Sequence, residues 1–220
     1  MANIILEEVR EKLKPQNVTL VAVSKTKPNE AILEMYKEGQ RVFGENRVQE
    51  VAAKYEVLPK DIQWHVIGHL QTNKVKYIAP FVSMIHSIDS LKLLKEVNKQ
   101  AKRNDRTIDC LLQMHIAEED TKFGFSNSEV TELLKSDAYQ GFENIRIVGV
   151  MGMATFTDDK EHVRQEFKTL RYVFENLKLG FFQNNDTFSE VSMGMSGDFE
   201  VAIEEGSTMV RIGSLLFGKR

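Results

Sequence analysis

The sequence predicts an α/β fold, a single (β/α)8 TIM barrel of parallel strands with an additional N-terminal helix. Three observations carry this expectation. Apolar or period-two runs of strand length alternate with helical patterns along nearly the whole chain, the runs number eight, and no glycine-rich fingerprint follows the first of them, where a dinucleotide-binding sheet needs one. Strict alternation implies parallel strands joined by right-handed crossovers, and eight such units close more naturally than they stay open. A doubly wound open sheet is the competing architecture.

In chain order, residues 1–14 place Ile4, Ile5, Val9 and Leu13 on one face and read as a helix ahead of the barrel. Strands fall near 18–23, 41–43, 62–66, 82–86, 107–115, 145–150, 188–192 and 208–211. Helical spacing fills 29–39, 45–55, 90–103 and 160–179, the last with Val163, Phe167, Leu170, Phe174 and Leu177 at three- and four-residue intervals. Pro28 and Asn29 open the first of these helices, Gly39 closes it, and Asp89 or Ser90 caps the third. A short helix, Phe199 to Glu204, follows strand seven. No Pro/Gly/Ser-rich linker, repeat or low-complexity tract divides the chain, so residues 1–220 are expected to form one domain.

Composition excludes several classes of function. A net charge of −3 with scattered Lys and Arg argues against a nucleic-acid surface, which needs a concentrated basic stripe. The single cysteine, Cys110, lies in the apolar stretch Ile108 to Met114, so no intrachain disulfide and no zinc-type Cys pair is expected, and a core thiol is its simplest reading. No apolar run is long enough for a membrane span, and the N-terminus lacks a signal-type hydrophobic segment. A soluble, cytoplasmic protein is expected.

The chemistry should gather where strands end, the working face of such a barrel. Lys25 stands just past the apolar run Val18 to Val23. Partial desolvation and a second cation, Lys27, would lower such an amine from about 10.4 toward the range of a free nucleophile. A solvated, snorkelling lysine is the alternative. Ser196-Gly197 after strand seven and Gly213-Ser214 after strand eight each offer a hydroxyl and close-approaching amides, together a phosphate cradle; separately they are ordinary βα turns. Arg211, inside the last strand, should project inward near the same place, or else close the barrel through a salt bridge to Glu204 or Glu205.

The blocks Val23-Ser24-Lys25-Thr26-Lys27-Pro28, Phe43-Gly44-Glu45-Asn46 with Gln49-Glu50, Trp64 to Lys74, Gly194-Met195-Ser196-Gly197-Asp198, and Gly206 to Ser214 with Phe217-Gly218 closely resemble the pyridoxal phosphate homeostasis family, whose members are also called YggS-type or proline synthetase co-transcribed proteins. The resemblance runs from about residue 20 to 218, in order and at compatible spacing. It implies an alanine-racemase-like, type III pyridoxal 5′-phosphate (PLP) fold without the second, β-rich domain. By it, Lys25 is the Schiff-base lysine that holds PLP covalently. Ser196, Gly197, Gly213 and Ser214 are the phosphate cradle, Arg211 is the partner of the ring nitrogen, and Asn46 approaches the ring or its phenolic oxygen. Met193 and Met195 would pack near the cofactor, and Lys122 would lie near its mouth. The task of Trp64 to Lys74 is open: His65 and His69 either polarise a ligand or serve a strand-end hydrogen-bond network. Met209 stands where the family often has asparagine.

An arginine can only donate, so it leaves the ring nitrogen unprotonated and mutes carbanion chemistry. Racemisation also needs a second acid/base group on the opposite face of the ring, and Tyr36, Tyr55, Tyr77, Tyr139 and Tyr172 all fall in helical or connecting stretches. The expectation is a monomeric PLP carrier or buffer in vitamin B6 homeostasis, with apo PLP-dependent enzymes as candidate recipients. A small PLP-dependent amino-acid racemase is the alternative, and an aldolase-type enzyme using Lys25 on a sugar phosphate is a third reading.

Overall fold

Eight parallel strands close on themselves in sequence order, each hydrogen-bonded to the next and the last to the first. The computed structural model describes residues 2–117 and 123–218, with side chains from Ile4 onward; Lys122 lies outside the described residues. The chain runs α1 (Ala2–Leu13), β1 (Thr19–Val23), α2 (Asn29–Lys37), β2 (Val42–Glu45), α3 (Val48–Val57) and β3 (Gln63–Val66). It continues with β4 (Met84–Ile88), α4 (Leu91–Arg103), β5 (Ile108–Gln113), α5 (Asn127–Lys135), α6 (Asp137–Gln140), β6 (Ile145–Met151) and α7 (Lys160–Phe181). The circuit ends with β7 (Glu190–Met195), α8 (Phe199–Glu204), β8 (Met209–Ile212) and α9 (Ser214–Phe217). The open doubly wound sheet is thereby ruled out, since β1 and β8 pair from Thr19↔Met209 to Ala22↔Ile212.

Local chemistry explains the helix starts. Ser90 accepts a hydrogen bond from Leu93 N ahead of α4, and Asp159 accepts from Glu161 N and His162 N ahead of α7. Ser126 and Glu129 form a reciprocal capping box on α5. α1 packs on β1 and α9, and Lys12 pairs with Glu200 of α8. Two expectations shift. β2 runs to Glu45 and β7 to Met195, so Gly44 and Glu45 are strand residues and α3 starts three residues later than the helical spacing suggested. The connection after β3 carries a 3-10 helix, Thr72–Tyr77.

Most of the core lies between barrel and helices, with Trp64, Phe43, Ile32, Leu94 and Phe167 fully buried. Inside the barrel a small apolar cluster of Leu111, Val148 and Met151 fills part of the volume. Polar side chains occupy another part: His86 of β4 reaches Ser192 of β7, strands that are not neighbours, so this contact crosses the interior. Cys110 is fully buried and burial pushes its thiol far up, which makes it a core group.

Candidate functional site

At the ends of β1, β2, β6, β7 and β8 a cavity of about 430 Å³ opens. All seven residues singled out in the sequence, Lys25, Asn46, Ser196, Gly197, Arg211, Gly213 and Ser214, line it. Lys25 lies two residues beyond the end of β1 and is half-buried. The next residue, Thr26, adopts a left-handed backbone with φ +64°, an uncommon conformation for a β-branched residue. Lys27 Nζ donates to Phe217 O and Gly218 O, 2.9 and 3.1 Å, and so ties the tail after α9 to the loop that carries Lys25.

Two close approaches build the mouth. A Cβ at Gly213 would stand 3.2 Å from both Cβ and O of Val23, so the glycine lets the turn after β8 crowd against the end of β1. A Cβ at Gly68 would stand 2.7 Å from Asn46 O, and glycine there admits the Asn46 loop. Part of the Trp64 to Lys74 block is therefore a steric support for Asn46. Ser196 Oγ accepts from Gly213 N at 3.2 Å and Leu215 N at 3.3 Å, which joins the two small-residue turns. With both lone pairs engaged, its hydroxyl hydrogen is left to donate elsewhere.

Arg211 is buried at the cavity floor. Its Nη1 donates to Ser192 Oγ at 2.7 Å and its Nη2 to Gly152 O at 2.9 Å. Burial lowers the guanidinium to about 10, opposed by the Asp198 carboxylate, so it stays charged at neutral pH. The salt bridge to Glu204 or Glu205 does not form; both acids pair with Arg164 on α7, each at 2.5 Å. Beyond Ser192 the polar chain continues: His86 Nδ1 lies 3.1 Å from Ser192 Oγ and His86 Nε2 lies 3.0 Å from His65 Nδ1. Burial holds His65 down to about 3 and His86 well below the usual histidine range, so both rings are neutral. His65 therefore belongs to a structural network, and His69 pairs outside the cavity with Asp89 and stacks on Phe123.

Met195 lines the cavity, whereas Met193 is buried in the main core and takes no part in the lining. Sequence reasoning missed Ser192 and His86; of the loop Met153 to Asp158, which forms one wall, it pointed to the strand-end stretch up to Thr155 but not to the exposed Phe156, Thr157 and Asp158. Ser192 and His86 gave no separable signal, because a strand residue facing the interior of a closed barrel looks like any other short polar residue in an apolar run.

A half-buried amine, a fixed guanidinium and two joined hydroxyl-glycine turns define a parallel barrel with a donor-lined cavity at its strand ends, of a size and chemistry to suit a small ligand with an anionic end. The family model described as alanine racemase, N-terminal domain, matches residues 5–220. The curated relative from Aquifex aeolicus (strain VF5), named pyridoxal phosphate homeostasis protein, is 44% identical over 202 residues, 91% of this chain and 86% of the relative. A relative of the same name from Vibrio alginolyticus is 38% identical over 94% of this chain and 88% of its own. The solved structure of PipY from Synechococcus elongatus PCC7942, with PLP bound, superposes with a TM-score of 0.88 at 34% identity, covering 99% of this chain and 100% of that one. An alanine racemase from Clostridium difficile 630 shares the fold at a TM-score of 0.77 and 16% identity, with 60% of its length covered. The chain belongs to the pyridoxal phosphate homeostasis protein family.

Proposed function

We propose that this protein binds PLP in vitamin B6 homeostasis, holding it covalently at Lys25 as a carrier or buffer without robust catalysis, and that residues 1–220 act as one PLP-binding domain. The observation that carries this reading is the convergence of Lys25, Arg211 and the Ser196 and Gly213 turns on one cavity. The donor set fits the cofactor: hydroxyls and amides suit a phosphate, the amine suits an aldehyde, and the guanidinium suits a ring nitrogen that accepts. When bound, PLP supplies an aldehyde for amine capture and an electron-withdrawing ring.

The chain's own groups set how far that chemistry goes. Lys25 would join its nitrogen to the aldehyde carbon with loss of one water. Ser196, Gly197, Gly213 and Ser214 would hold the phosphate, and Asn46 would approach the ring. Arg211, charged and anchored at two of its nitrogens, would donate a hydrogen bond without giving up its proton, so ring protonation gains no support. The titratable groups among the described lining residues are Lys25, Lys27, Asp158, Asp198 and Arg211, with no tyrosine opposite Lys25, which supports a one-sided site and disfavours the racemase reading.

We further place the protein in the cytoplasm as a monomer that passes PLP to apo PLP-dependent enzymes; among the described residues, no helix is long and apolar enough to cross a membrane. Equilibrium dialysis of the purified chain against PLP, followed by incubation with L-amino acids in heavy water, tests the function. Stoichiometric retention of PLP without steady exchange of the α-proton is expected. Sustained exchange would replace the carrier by a racemase-like enzyme.

A further inference from the structure

Beneath Lys25, outside the cavity lining, lies a buried polar cluster with no task in the reading above. Lys54 Nζ donates to Ser24 O at 2.9 Å, to Glu45 Oε1 at 2.7 Å and to Glu50 Oε1 at 2.8 Å. Ser24 Oγ donates to the same Glu45 oxygen at 2.6 Å, and Thr26 N donates to Glu50 Oε1 at 2.5 Å. Ser24, Glu45 and Lys54 are buried, and Glu50 is largely so. The residues on both sides of Lys25 are thus held by one cluster drawn from the end of β2 and the first turns of α3. One of its members, Glu45, directly precedes Asn46.

We propose that Glu50, together with Lys54 and Glu45, is a positioning group for Lys25: it fixes the Ser24 to Thr26 turn so that the Lys25 amine is presented to the cavity. The inference deepens the function proposed above and rests on it. Thr26 at φ +64° is the reason a clamp is needed, since a β-branched residue is sterically disfavoured in that region and leaves it unless its surroundings hold it. Glu50 supplies the acceptor that its N–H meets in that conformation. Lys54 Nζ holds the two carboxyls together by donating to one oxygen of each, while burial raises the Glu45 carboxyl, whose Oε2 has no partner among the described residues. The cluster also gives a physical role to Glu45 and Glu50 in the sequence block that starts at Phe43.

Positioning and ligand binding separate experimentally. Pyridoxine 5′-phosphate has the ring and the phosphate but no aldehyde, so its affinity reads the cavity without the amine. The rate at which PLP becomes covalently attached, C–N bond formed and one water released, reads the presentation of Lys25. In Glu50→Ala, attachment should slow by about tenfold or more while pyridoxine 5′-phosphate affinity stays within about twofold, since small misplacements cost rate steeply. In the cofactor-free variant the Thr26 amide should exchange with solvent about tenfold faster, an opening that the Glu50 bond otherwise resists. Glu50→Gln, which keeps an acceptor oxygen, should recover most of both effects. A Glu50→Ala rate equal to wild type, or equal losses for PLP and pyridoxine 5′-phosphate, would overturn the inference alone. A wild-type chain that never attaches PLP would overturn the proposed function and this inference with it.

Discussion

Arg211 Nη1 donates to Ser192 Oγ at 2.7 Å, and the same hydroxyl faces His86 across the barrel. A buried cation thus has a fixed orientation at the cavity floor. Removing the hydroxyl by Ser192→Ala leaves a buried guanidinium nitrogen without its acceptor. A loss of about 1–3 kcal/mol in unfolding free energy is expected from urea denaturation. A change under about 0.5 kcal/mol would show that the hydrogen bond does not hold Arg211.

The two neutral histidines make stability fall with acidification. Their folded values lie below the ordinary histidine value of about 6.5, so below that pH the unfolded chain binds protons that the folded chain refuses. The contribution is complete above about pH 6.5, and for His65 its loss continues as pH falls toward about 3. Each ring adds a slope of about 1.4 kcal/mol per pH unit inside the window. Urea denaturation at pH 7 and at pH 5.5 should show this slope in the wild type and a shallower one in His65→Asn. Identical slopes in both would contradict the neutral pair.

Lys54 donates to two carboxyl groups, Glu45 and Glu50, in a cluster where Glu45 is fully buried. Lys54→Met should cost about 3–5 kcal/mol, because it leaves acidic groups buried without a partner. A melting temperature near wild type would show that water, and not Lys54, satisfies these acids.

Eight strands were legible because an apolar run of strand length bounded by turns survives any detail of register, and the strand ends then pointed to Lys25, Asn46, Ser196, Gly197, Arg211, Gly213 and Ser214. Strand limits were less legible. The ladder shifts register between Ser192 and Met195 on β7 and between Ile85 and Ile88 on β4, and such irregularities leave no trace in a period-two pattern. Glu45 falls within the helical spacing of 45–55, yet it is the last residue of a strand, buried against Lys54. Its partner lies nine residues away on α3, a pairing that only tertiary packing reveals.

Gly68 supports Asn46, away from the other residues proposed to hold the ligand. Gly68→Ala must displace the Asn46 backbone, since its Cβ would stand 2.7 Å from Asn46 O. PLP affinity should drop by about tenfold, the weight of roughly one hydrogen bond, with Arg211 and the barrel undisturbed. Titration calorimetry reads the drop, and unchanged affinity would remove Asn46 from the site.

The most direct test of the account is borohydride reduction of the PLP-loaded protein followed by peptide mass mapping. One cofactor should be fixed on the peptide that contains Lys25, and Lys25→Ala should fold normally yet carry no adduct. Reduction that fixes the cofactor on another lysine, or fixes none in a chain that retains PLP, would contradict it.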